Sequence, residues 1–219
     1  MSHVDQFRHA GCLVRISYDN DAESPRQWDN LGWMVCWHNR YRLGDWNQGQ
    51  RHPEAQDGTV FGSPSDFEEW WAANGEGGVI LPLYLYDHSG ITMSCGPFNC
   101  PWDSGQVGYV YCTREAILKE YNAKRVSGKM RKRVADVLKQ EVATYDDFLT
   151  GQVYGYEVFA IDEEADEDGD EAEGELLDSC WGFFGLDYCK QEAKEVAEYQ
   201  AEQLKVKREA ALDADLGKL

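Results

Sequence analysis

Residues 81–112 read "LPLYLYDHSGITMSCGPFNCPWDSGQVGYVYC". The apolar runs at 79–87, 91–95 and 106–112 are strand-like, and they are separated by Asp87-His88-Ser89-Gly90 and by Trp102-Asp103-Ser104-Gly105, residue types that accept turn geometry. The spacing predicts a tight hairpin with His88 at its tip and Gly90 at a positive φ. Near-continuous apolarity over 79–87 implies burial on both faces, while Pro82, which lacks a ladder donor, places an edge or a bulge near the start of that strand.

Outward from this stretch the pattern alternates. Residues 12–19 and 33–38 read as strands around a loop of turn formers at 20–32. Residues 65–74 form a short helix with Ser65 as N-cap and Glu68 at the capping-box position. From Thr113, an N-cap, the apolar period becomes helical, giving helices over 113–121 and 129–151, the second ended by Gly151. Strands at 152–161 and 175–185 bracket an acidic run, and a long helix at 187–214 closes the chain, with Cys189, Ala193, Val196, Ala197, Ala201 and Leu204 on its apolar side. The expected class is α+β: one domain over 1–219, a mostly antiparallel sheet with helices grouped on one face, and an acidic, mobile hairpin loop at 162–175.

The 219 residues are 42% apolar, with eight tryptophans and twelve tyrosines, ample for a core. No run approaches the length of a membrane span and the N-terminus lacks a secretory pattern, so the expected location is the cytoplasm, with no membrane partner. Seven cysteines, an odd number, fit reduced thiols rather than a disulfide framework. The net charge is −19, and residues 162–175, with ten acids and no base, supply about half the excess. Residues 124–133 carry six bases in ten. Such polarity steers partners and opposes nonspecific nucleic-acid binding over most of the surface.

Polar groups at strand ends are the candidate site. Asp29, Asn30, His38, Asp87, His88, Ser89, Trp102, Asp103, Ser104, Asp178 and Trp181 form a binding rim if neighbouring strands gather their ends. In that rim Asp87 or Asp103 would orient His88 as a base. The chain has no nucleophile motif, no HExxH and no phosphate-cradling glycine loop, so no residue set names a reaction and the catalytic residues are unknown. Large aromatics such as Trp102 and Trp181 are ordinarily core residues.

Cys95 and Cys100, completed by Cys112 and His88, have the composition of a zinc site, but the second pair lacks close spacing and buried free thiols are the reading taken, with no metal or cofactor expected. Glu164, Asp166, Asp168, Gly169 and Glu175 imitate a calcium loop, yet their flanks read as strands, which favours a solvated connection. The bases Lys124, Arg125, Lys129, Arg131, Lys132 and Arg133 make a basic patch, either the solvated start of a helix or a phosphate contact.

Three stretches, 24–45, 81–111 and 176–196, together resemble a widespread family of small bacteriophage proteins of unassigned function. The resemblance runs from about residue 18 to 195 and implies a phage accessory protein rather than a virion part, with the acidic run lying outside the shared pattern. It transfers no reaction and no catalytic residue. The expected function is binding and antagonism of a host defence complex inside the cell, through an acidic surface that imitates nucleic acid. The alternative is an enzyme, or a nucleotide or metal binder, that uses the rim around Asp87, His88 and Asp103.

Overall fold

A computed structural model describes residues 3–47, 61–161 and 173–216. Its elements are β1 Asp5–His9, β2 Cys12–Tyr18, β3 Trp33–Cys36, β4 Trp46–Asn47, α1 Pro64–Asn74, β5 Val79–Asp87, β6 Ile91–Ser94, β7 Ser104–Cys112, α2 Arg114–Glu120, α3 Gly128–Leu149, β8 Val153–Ile161, β9 Glu173–Phe184 and α4 Leu186–Leu216. The class is α+β, but the strands form two sheets rather than one, in two compact units: Ser24–Thr150, and Met1–Glu23 with Gly151–Leu219.

In the Ser24–Thr150 unit the sheet order is β4-β3-β7-β5-β6. Every pairing is antiparallel except the two-residue β4, which runs parallel to β3. Pro82 pairs with Tyr109 of β7, and β6 begins to pair only at Tyr84, so the missing N–H falls where β5 has no second neighbour; the bulge follows at Leu83/Tyr84. Alternation sends Met34, Cys36, Leu83, Leu85, Val110 and Cys112 to one face, where Val134, Leu138 and Val142 of α3 and Ile117 of α2 cover them. Val35 and Tyr111 point to the other face, into an aromatic layer with Phe61 and Phe67, the latter from α1. Helices therefore cover both faces of this sheet, where the sequence reading groups them on one.

Local signals set the element ends. Helix α1 is capped two residues earlier than expected: Ser63, not Ser65, is the N-cap, in a reciprocal capping box with Asp66, and Pro64 occupies the first helical position where its missing N–H costs nothing. Thr113 caps α2 as expected, and Ser127 caps α3. Gly108 has no room for a side chain, since a Cβ would lie 1.9 Å from the Val35 carbonyl oxygen, and its absence lets β3 and β7 pair closely. On the outer edge of the sheet, Asp146 of α3 accepts hydrogen bonds from the Met93 amide at 2.6 Å and the Thr92 hydroxyl at 2.8 Å, covering part of β6.

The second unit holds the antiparallel sheet β1-β2-β8-β9. Strand β1 has no counterpart in the sequence reading; it joins β2 through Ala10 and Gly11, both at positive φ. Helix α4 lies on the face made by Cys12, Val14, Ile16, Tyr154, Tyr156 and Val158, and its contact side is Cys189, Ala193 and Ala197, small groups that allow close approach. Strands β8 and β9 pair from Val153↔Phe184 to Ile161↔Glu173. The acidic run thus does connect hairpin arms, but Glu173, Gly174 and Glu175 belong to β9 rather than to the loop. Residues 162–172, including Glu164, Asp166, Asp168 and Gly169, lie outside the described residues. Among the described residues no helix is long and apolar enough to cross a membrane.

Candidate functional site

The β5–β6 hairpin closes with Asp87 paired to Ile91 and His88-Ser89-Gly90 at the tip. The left-handed residue is Ser89, at φ 58°, not Gly90. Serine tolerates this conformation poorly compared with glycine, so the tip carries modest backbone strain. The loop before β7 is tied alongside: the Asp87 amide donates to the Asp103 carbonyl at 2.8 Å, and the Ser104 hydroxyl donates to the Cys100 carbonyl at 2.6 Å.

On this frame the side chains converge. His88 Nδ1 is 3.2 Å from Asp103 Oδ2, and the same oxygen accepts the Cys100 thiol at 3.6 Å. With Nδ1–H donating to the carboxylate, the neutral imidazole presents Nε2 as an acceptor. Asp87 is held by Arg40 at 2.9 Å and by the Tyr41 hydroxyl at 3.3 Å. His38 follows β3 and caps the next turn: its Nδ1 accepts from the Arg40 and Tyr41 amides, and its ring stacks on Tyr41 with centroids 5.1 Å apart. Tyr86 stacks on His88 and tilts against Phe98. Trp102, on the turn beside Asp103, is 92% exposed.

Of the residues expected on a rim, the structure brings His88 to Asp103, and links Asp87 through Arg40 and Tyr41 to the turn that His38 caps, with Ser89, Trp102 and Ser104 adjacent in the chain, all within the Ser24–Thr150 unit. Arg40, Tyr41 and Cys100 were not anticipated; their only sequence signal was that "HNRYR" (38–42) follows a strand, as polar rim loops do. Asp178 and Trp181 belong instead to β9 in the other unit. There Asp178 accepts from Gln200, and the Trp181 ring covers Gly155, where a Cβ would lie 2.1 Å from the ring. Asp29 and Asn30 sit in the loop before β3, where the Asn30 amide donates to the Pro25 and Trp28 carbonyls.

That loop is anchored by a buried ionic network. Arg26, with its side chain 4% exposed, makes paired hydrogen bonds to Asp45 at 2.9 and 2.7 Å, and its Nη1 lies 3.5 Å from Glu141 of α3. Asp45 also accepts from the Met34 amide, and Glu141 from the amides of Leu31 and Gly32. Desolvation pushes the Glu141 carboxyl above its usual range, against the pull of those amides and of Arg26. The network accounts for Arg26 and Asp45 as structural groups.

The rim lacks the contacts of a nucleophilic catalyst. His88 orients on Asp103, but no described hydroxyl or thiol touches its ring; Cys100 bonds the carboxylate instead. The zinc ligands considered above are dispersed: Cys112 is in the core, Cys95 is in the cleft between β6 and α3, and among the described residues no three histidine, cysteine or acidic side chains group as metal ligands. Lys124 and Arg125 precede α3, and Lys129, Arg131, Lys132 and Arg133 occupy its first turns, all exposed and none in an ion pair with a described residue. Comparison with family models, curated proteins and solved structures finds no match to this chain.

Proposed function

We propose that this chain is a phage accessory protein that binds and antagonises a host defence complex, and that it docks through the strand-end rim of the Ser24–Thr150 unit. The observation that carries the docking surface is Trp102. An indole left in water on the turn that carries Asp103, whose carboxylate meets His88, has the composition of an interface anchor, and desolvating it on a partner supplies binding energy. The rigid five-stranded sheet below fixes its position before binding, which lowers the ordering cost. The net charge of −19 supports a partner with a basic surface, and the phage resemblance supports a host target. The test is affinity capture from infected cells with the wild type, Trp102→Ala and a surface variant in the other unit, Lys207→Glu. A specific partner held by the wild type and Lys207→Glu but lost by Trp102→Ala supports the reading; a partner retained equally by all three contradicts it.

The His88–Asp103 contact favours a second reading, a small-ligand or enzymatic rim, because an oriented imidazole with a free Nε2 is suited to accept a proton. Native mass spectrometry of the purified protein tests it. A stoichiometric copurifying nucleotide or metal lost in His88→Ala would move the assignment from protein partner to ligand.

A further inference from the structure

A cleft of about 740 Å³ lies between the loop before β3, the end of α2 and the side of α3. Its walls differ along their length. On α3 the residues Lys129, Arg133, Val137 and Glu141 follow one another at i, i+4 spacing, so they share a helix side, and Arg133, Val137 and Glu141 line the cleft. Arg133 is eight residues from Glu141, about 12 Å along the axis by the helix rise.

The Arg133 end is cationic and aromatic. Its guanidinium lies over the Tyr121 ring at 5.2 Å, Lys119 of α2 also lines the cleft, and neither cation is in an ion pair with a described residue. Lys119 is in the last turn of α2, where a cation suits the helix dipole, whereas Lys129 lies in the first turn of α3, which has no acid. Cations there add to the positive end of the helix dipole instead of neutralising it, an arrangement that helix stability alone disfavours. The opposite end offers acceptors. Asp29 has no hydrogen bond to a described residue, and Asn30 spends its amide hydrogens on Pro25 and Trp28, leaving Oδ1 open. Trp33 adds an apolar wall between them.

We infer that this cleft binds a nucleotide, with the phosphate at Lys119 and Arg133, the base against Tyr121 and Trp33, and its amino or ribose hydroxyl hydrogens on Asp29 and Asn30. An aromatic ring that carries an anion at one end and donors at the other matches the cleft's polarity and length. Glu120 also lines the cationic end, so phosphate affinity rests on the two bases together with Lys129. The nucleotide is either free or one unit of a single strand; Lys124, Arg125 and Lys132 beyond the cleft would meet further phosphates in the second case.

The experiment is fluorescence anisotropy at low salt with a labelled oligothymidylate of about 12 nucleotides, competed by adenosine and thymidine monophosphates, with a duplex of equal length as control. Binding of the single strand over the duplex, weakened about tenfold or more by Lys119→Glu and by Arg133→Glu with a flatter salt dependence, supports the inference. Tyr121→Leu is expected to cost about tenfold as well. Because Tyr121 also packs on the core, circular dichroism accompanies it, and the exposed Lys119 carries the test if Tyr121→Leu is misfolded. Competition by monophosphates as strong as by oligomer assigns a free nucleotide; competition by oligomer alone assigns a strand. Absence of binding by the wild type, or equal binding by Lys119→Glu and Arg133→Glu, overturns it.

Discussion

His88 and Asp103 meet at 3.2 Å, joining the tip of the β5–β6 hairpin to the loop that enters β7. Both side chains are well exposed to water, so the pair contributes little to stability and its importance lies in orientation. His88→Ala is expected to keep the fold, with unfolding free energy within about 0.5 kcal/mol of the wild type. Urea unfolding checks this; a loss of several times that size would make His88 a structural residue.

The tip's strain lies one residue before the glycine that the sequence points to. With Ser89 at φ 58°, Ser89→Val is expected to destabilise by about 1–2 kcal/mol and Ser89→Gly to be neutral or stabilising. A Cβ at Gly90 meets open space, so Gly90→Val is expected to cost less than Ser89→Val. The opposite order in thermal melts would contradict the observed turn.

Removing Asp45 leaves Arg26 buried with its main partner gone. Asp45→Ala should cost about 3–5 kcal/mol, the usual penalty for an orphaned buried charge. Replacing Glu141 by glutamine also removes a carboxylate whose ionisation burial opposes. Since its folded pKa is raised, the wild type gains stability from this group as pH falls through the shifted value toward 4.5 and loses it as pH rises. Glu141→Gln is expected to flatten that part of the stability profile.

Burial pushes the thiols of Cys36 and Cys189 up to about 12. At pH 8 their thiolate fraction is then about one in ten thousand, and both should resist alkylation in the native protein. Cys180 is exposed and should react first, and all seven cysteines should react in denaturant. Peptide mapping by mass spectrometry reads the order; early labelling of Cys189 would show that α4 opens readily.

Strand and helix types were legible where period and caps agreed, as at Thr113 and along 79–112. The number of sheets was not. β2 pairs with β8, far away in sequence, and alternation marks a strand's buried side without naming its partner. This is why Asp178 and Trp181 were placed on a rim whose other residues lie in a different unit. Strand β1 was missed because "DQFRH" carries polar residues at most positions and only pairing with β2 defines it. Asp87 and His88 were readable as a hairpin tip; Asp103 joins them because β7 pairs back onto β5 rather than onto β6, so its entry at Ser104 lies opposite Tyr86 beside that tip.

The claim that the rim recognises a host component is tested most directly by plating efficiency. A phage lacking this gene is plated on hosts with and without defence systems while complemented by the wild type or by Trp102→Ala, whose fold is verified by its melting curve. The account predicts that the deletion lowers plating on at least one defended host, that the wild type restores it, and that Trp102→Ala does not. Full restoration by Trp102→Ala, or equal plating of the deletion phage on every host, would contradict it.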